Sequence, residues 1–109
     1  MAGKFEVKKS KDQYMFNLKA SNGQVVLTSE RYKSKAALQN GISAVKQNAK
    51  SSKNFERRVA KNGKPYFVLL AKNGQVVGRS EMYASTSGCA SGIKSVMRNA
   101  RNSKTEDIS

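Results

Sequence analysis

The chain has 109 residues, enough for one domain whose fold hides about 65% of its unfolded surface without disulfides or metals. It holds 21 Lys and Arg against 7 Asp and Glu, one cysteine and no histidine. This excludes an internal disulfide, leaves no zinc-type Cys/His spacing, and removes the usual general base near neutral pH.

In chain order, Phe5 to Lys8 alternates apolar and polar residues and predicts a strand, followed by a polar turn at Ser10 to Gln13. Tyr14 to Ala20 alternates again, with Tyr14, Phe16, Leu18 and Ala20 on one face and Met15, Asn17 and Lys19 on the other. Asn22-Gly23 predicts a type I′ hairpin turn, and Val25 to Glu30 is the return strand. Ser34 is placed to cap a helix whose apolar stripe is Ala37, Leu38, Ile42, Val45 and Ala49. Lys50 to Asn54 links to a second set of strands at Phe55 to Val59, Pro65 to Ala71 and Val76 to Glu81. A second helix starts at Ser85, with Cys89, Ile93, Val96, Met97 and Ala100 on its apolar stripe.

The two halves are copies. Over Tyr14 to Ala49 and Pro65 to Ala100, 17 of 36 positions are identical at an offset of 51. Such a duplication predicts one α+β domain over residues 1–109, built from two tandem β-β-β-α repeats, 1–52 and 53–101. An antiparallel sheet would carry both helices on one face about a pseudo-twofold, and residues 102–109 would form a polar tail or an edge strand. Strict alternation in the first copy leaves its other sheet face solvated, whereas the second copy has Tyr66, Val68 and Leu70 there. Gly41 and Gly92 recur mid-helix at a cost of about 1 kcal/mol each relative to Ala, which points to a close approach of each helix to the sheet or to its symmetry mate.

These motifs closely resemble the YegP-like (UPF0339) family of small bacterial proteins. The first copy carries them within Leu18 to Val45, as Asn22-Gly23-Gln24-Val25-Val26, Ser29-Glu30-x-Tyr32, Ser34 and Gly41-Ile42. The second repeats them within Leu69 to Val96. The resemblance implies that the two β-β-β-α units share one sheet and exchange a strand across the pseudo-twofold. It also implies a bacterial, cytoplasmic protein, and it brings no established reaction, cofactor or ligand. Departures of the second copy, Leu70 for Lys19 and Gly78 for Leu27, are candidates for a partner surface.

For function, the sequence supports a non-enzymatic binding protein with no cofactor, metal or small-molecule substrate. Glu30 and Glu81 could flank a substrate, but local pairing with Lys or Arg accounts for them. Cys89 sits on an apolar stripe without a base beside it. The net charge of +14 favours polyanions, above all nucleic acid held through phosphates without strong sequence choice. The candidate contacts are Lys8, Lys19, Arg58 and Arg79 on the sheet, Arg31, Tyr32 and Lys33 beside the first helix, and Lys94, Arg98 and Arg101 on the second. Tyr32 and Tyr83 are either structural corners or stacking platforms for a base. The competing readings are like charge acting only for solubility, and a protein-interaction module or homodimer that uses Tyr66, Val68 and Leu70 or an exposed strand edge. The lone cysteine, the absence of a signal-type leader and a longest apolar run of six residues predict a cytoplasmic protein without a membrane span.

Overall fold

A computed structural model describes residues 3–20 and 22–107. The first repeat forms β1 (Lys4–Ser10), β2 (Gln13–Lys19), β3 (Val25–Ser29) and α1 (Lys35–Asn48). A short 3-10 turn, Ser52–Asn54, leads into β4 (Phe55–Val59), β5 (Pro65–Leu70), β6 (Val76–Arg79), α2 (Thr86–Asn102) and β7 (Lys104–Asp107). All seven strands join one sheet in the order β4-β5-β6-β3-β2-β1-β7. Every pairing is antiparallel except that of β7, which runs parallel to β1. The sheet is therefore mixed, and the polar tail supplies an edge strand.

The hairpin turns differ from the type I′ expectation. Among the described residues Lys11 is the only non-glycine with positive φ, so Asn22 does not supply the second left-handed residue a type I′ turn requires. Instead Gly23 N–H donates to Ala20 O, Gly23 takes φ 86°, and the Asn22 side chain accepts from Gln24 N–H. The left-handed conformation thus falls on the glycine rather than on the asparagine, which serves as an internal acceptor. Asn62-Gly63 and Asn73-Gly74 repeat it.

Inward residues of the strands and the apolar stripes of both helices form one core, with Phe5, Phe16, Phe67, Leu18, Leu69, Leu38 and Val96 fully buried. Ser34 and Ser85 cap their helices by accepting from Ala37 N–H and Gly88 N–H.

The repeats meet where β3 pairs with β6, in the register Thr28↔Arg79 and Ser29↔Gly78. Thr28 and Arg79 are the same position of the two copies, so the pseudo-twofold passes through that pair. Identical large residues next to such an axis would collide with each other. Leu27 fills the core side of the axis, and its counterpart Gly78 leaves the room: a Cβ at Gly78 would lie 2.8 Å from Leu27 Cδ2 and Cγ. The departure at Gly78 is thus a packing device in the core and not part of a partner surface.

The recurrent Ser-Glu-x-Tyr motif also has a structural explanation. Ser29 Oγ accepts from the buried Phe16 N–H at 2.8 Å and donates to Glu30 O, and Ser80 does the same for Phe67 N–H at 3.0 Å. Each serine satisfies a buried amide that would otherwise cost about 1–3 kcal/mol. Tyr32 stacks on Phe16 and Tyr83 on Phe67, with ring centroids 6.3 and 6.1 Å apart. Each tyrosine hydroxyl then lies beneath the mid-helix glycine, where a Cβ at Gly41 or Gly92 would overlap it and sit 2.6 Å from Cζ. The close approach that these glycines permit is therefore to the tyrosine of the same repeat.

Candidate nucleic-acid interface

The outer sheet face is less solvated than alternation predicts. Asn17 is 8% exposed and accepts a hydrogen bond from Thr28 Oγ1, and Glu6 is 6% exposed. Both lie on strands inside a seven-stranded sheet, where longer neighbouring side chains fold over them. Glu6 is gripped by Lys19 at 3.0 Å and Lys8 at 3.5 Å. Lys19, then Lys8, holds its carboxyl below the usual 4.5, against the opposing effect of burial. A depressed carboxyl stabilises the fold fully above its unfolded value, and that contribution fades as pH falls through the folded value. Replacing Glu6 with Gln should therefore lower the melting temperature at neutral pH and flatten its decline below about pH 4.5, measured by circular dichroism.

The same face carries two further ion pairs. Arg58 reaches Glu56 at 2.6 Å, and Arg79 lies 3.8 Å from Glu30. All four sheet cations expected to meet phosphates, Lys8, Lys19, Arg58 and Arg79, thus have a carboxylate beside them. Exposed pairs of this kind are worth little to stability, but they cancel the local potential an incoming phosphate would feel. The Glu30 and Glu81 carboxylates are exposed, and among the described residues no three His, Cys, Asp or Glu side chains cluster as a metal site.

The helical side has the opposite balance. Residues 31–55 hold six Lys and Arg, residues 82–105 hold four, and neither stretch contains an Asp or Glu. The rest of the chain holds eleven cations against all seven carboxylates, so ten of the fourteen net charges belong to the helices and their flanks. Arg31, Lys33, Lys50, Lys94 and Arg98 are exposed. Arg101 lies in the last turn of α2, with its side chain outside the described residues. Lys46 is half-buried, its ammonium 5.5 Å from the Phe5 ring centre. A trough of about 440 Å³ runs between α1 and the β5–β6 turn, lined by Asn40, Ser43, Gln47 and Lys72. It offers amide and hydroxyl donors with a cation and no carboxylate. The equivalents of Ser43 and Gln47 in α2 are Lys94 and Arg98.

Tyr32 is half-buried between Phe16 and Gly41, and burial, aided by Glu30, pushes its phenol up. One ring face is already occupied, so the geometry favours a corner over a stacking platform. Cys89 is fully buried, and burial pushes its thiol up against a weaker pull from Arg57, leaving no reactive thiolate. The apolar sheet face of repeat two is partly closed: Val68 is 1% exposed, while Tyr66 and Leu70 are half-buried. What stays open beside it is a cleft of about 430 Å³ lined by Tyr66, Arg79 and the exposed Met82. The acid-free helical layer had a signal in the sequence, the two long stretches without Asp or Glu. That signal is lost when charge is counted by halves, since residues 1–52 and 53–109 each carry a net charge of +7.

Known proteins resemble this chain over nearly its whole length. The family model described as a domain of unknown function, DUF1508, matches residues 10–56 and again 60–107. The chain belongs to the UPF0339 family. A UPF0339 protein of Mannheimia succiniciproducens is 53% identical over 107 residues, which cover 97% of this chain and 95% of that one. The UPF0339 protein YegP of Yersinia pestis is 47% identical, covering 97% and 96%. The solution structure of a UPF0339 protein from Shewanella oneidensis superposes with a TM-score of 0.92 at 46% identity, over 99% of this chain and 92% of that one. That of YegP from E. coli, a protein of unknown function, gives 0.93 at 43% identity, over 99% and 94%. The first matched segment ends two residues into β4, and the second ends with β7. In that phasing each unit ends in a strand that pairs within the other half of the sheet, as the resemblance to the family implies.

Proposed function

We propose that this UPF0339 protein is a non-enzymatic, cytoplasmic nucleic-acid-binding protein that holds phosphates against its helical layer without reading sequence. The observation that carries this reading is the segregation of charge: the helices and their flanks hold ten cations and no carboxylate. On the sheet face, Lys8, Lys19, Arg58 and Arg79 are engaged by Glu6, Glu56 and Glu30. Contact through Lys50, Lys94, Arg98 and the donors of Asn40, Ser43 and Gln47 suits a phosphate backbone, which rewards charge and short donors over shape. Among the described residues, no helix is long and apolar enough to cross a membrane.

The test is fluorescence anisotropy with labelled single-stranded DNA, duplex DNA and structured RNA across a salt series. A triple variant, Lys50→Ala/Lys94→Ala/Arg98→Ala, should flatten the slope of log K against log salt for duplex DNA by about 2.7, or roughly 0.9 for each phosphate no longer neutralised. Arg58→Ala/Arg79→Ala should leave the slope unchanged. An equal flattening by both variants would refute the helical placement. Binding that vanishes by physiological salt for every nucleic acid and for heparin would reduce the charge to a solubility device.

A further inference from the structure

β1 and β4 are one strand used twice. Both carry Phe-Glu in their first three residues, at Phe5-Glu6 and Phe55-Glu56, and both pair antiparallel with the strand that follows. Phe5 meets Phe16, and Phe55 meets Phe67, with the same ring separation of 5.6 Å and interplanar angle of 71°. The pseudo-twofold therefore makes their outer edges equivalent. At β1 that edge is occupied: β7 lies along it in parallel, from Lys4↔Lys104 to Val7↔Asp107. At β4 it is bare among the described residues, and Glu56, Arg57, Arg58 and Val59 are exposed, Val59 to 70%.

An unpaired edge presents a row of amides and carbonyls ready to take a strand. The segment that takes the equivalent edge is acidic at its end, Glu106-Asp107. The β4 edge differs from β1 in the residue that would face that end. Val7, opposite Asp107, is replaced by Arg57, which has no carboxylate partner among the described residues. We propose that β4 docks an extended acidic peptide segment of a partner protein. The segment lies parallel to β4, in the register β7 takes on β1, with an acidic side chain opposite Arg57. A second copy pairing β4 to β4 antiparallel about Arg57 would set the two Arg57 side chains against each other, a like-charge contact at the centre of the edge. An acidic segment turns that cost into attraction. This site is separate from the helical layer.

The probe is a synthetic octapeptide with the sequence of residues 102–109, titrated into the full-length protein labelled with ¹⁵N. Amide shifts confined to residues 54–59, with slowed hydrogen exchange there, are expected. Arg57→Glu, an exposed substitution whose fold is checked by the unchanged remaining spectrum, should weaken binding roughly tenfold. A peptide with lysine in place of its aspartate, the residue set opposite Arg57, should bind at least as weakly. Shifts at β1 and β7 would mean the peptide merely displaces the chain's own strand, and shifts spread over the helices would mean nonspecific attraction. Protection of β4 that rises with protein concentration and needs no peptide would identify a second copy as the occupant. Any of these results, or an absence of binding, overturns the proposal.

Discussion

Gly78→Leu, which restores in repeat two the residue that repeat one carries, should destabilise the protein by about 3 kcal/mol, read from urea denaturation at constant m-value. The reason is the axis. Gly78 pairs with Ser29 beside the Thr28–Arg79 pair, and its missing side chain is the space that the Leu27 methyl groups fill. A second leucine there has nowhere to go without moving strands at the centre of the sheet. The swap Leu27→Gly/Gly78→Leu puts the large residue on the other side of the axis and should recover to within about 1 kcal/mol of wild type. An unchanged denaturation midpoint in the single variant would sink this explanation. So would a swap no better than the single.

Gly92→Ala is the second test, because two well-understood effects oppose each other. In an exposed helix the substitution stabilises by about 1 kcal/mol. Here the new methyl overlaps the Tyr83 hydroxyl and lies 3.1 Å from Phe67 Cε2, and Tyr83 is pinned by its stacking on Phe67. A net loss of about 2 kcal/mol is expected. In a Tyr83→Ala background the obstruction is gone, and the same substitution should become stabilising. This reversal of sign is what a double-mutant cycle would record. If Gly92→Ala stabilises both backgrounds, the glycine is not there for the tyrosine.

Both substitutions probe residues that recur or pointedly fail to recur between the repeats. The most recurrent residues build the fold: Ser29 and Ser80 satisfy buried amides, Tyr32 and Tyr83 wedge beneath Gly41 and Gly92, and Ser34 and Ser85 cap helices. The exposed residues invoked in the two proposals lie mostly where the copies differ. Ser43 and Gln47 become Lys94 and Arg98, Val7 becomes Arg57, and Arg31 becomes Met82. A motif shared by both halves marks what each half needs to fold. Leu27 and Gly78 are the exception, unshared because the axis has room for only one large side chain.

By itself the sequence determined the duplication, the order of strands and helices, the caps, and which face of each element turns inward. Those features follow from spacings of two and 3.6 residues and from local turn chemistry, so they are legible in any short window. The tertiary structure decided what depends on residues far apart in the chain. Glu6 meets Lys19 across a hairpin, and Glu30 meets Arg79 only because β3 pairs with β6. That pairing compensates Arg79, the last of the four sheet cations to find a carboxylate, and leaves the helical layer richer in uncompensated charge. It also brings Leu27 against Gly78, and the sheet it completes places β7 on one edge while leaving its pseudo-twofold counterpart open. Glu6–Lys8 and Glu56–Arg58 sit two residues apart on one strand face and follow from the strand period, but compensation between distant charges and the occupancy of an edge depend on which strands meet in the folded state.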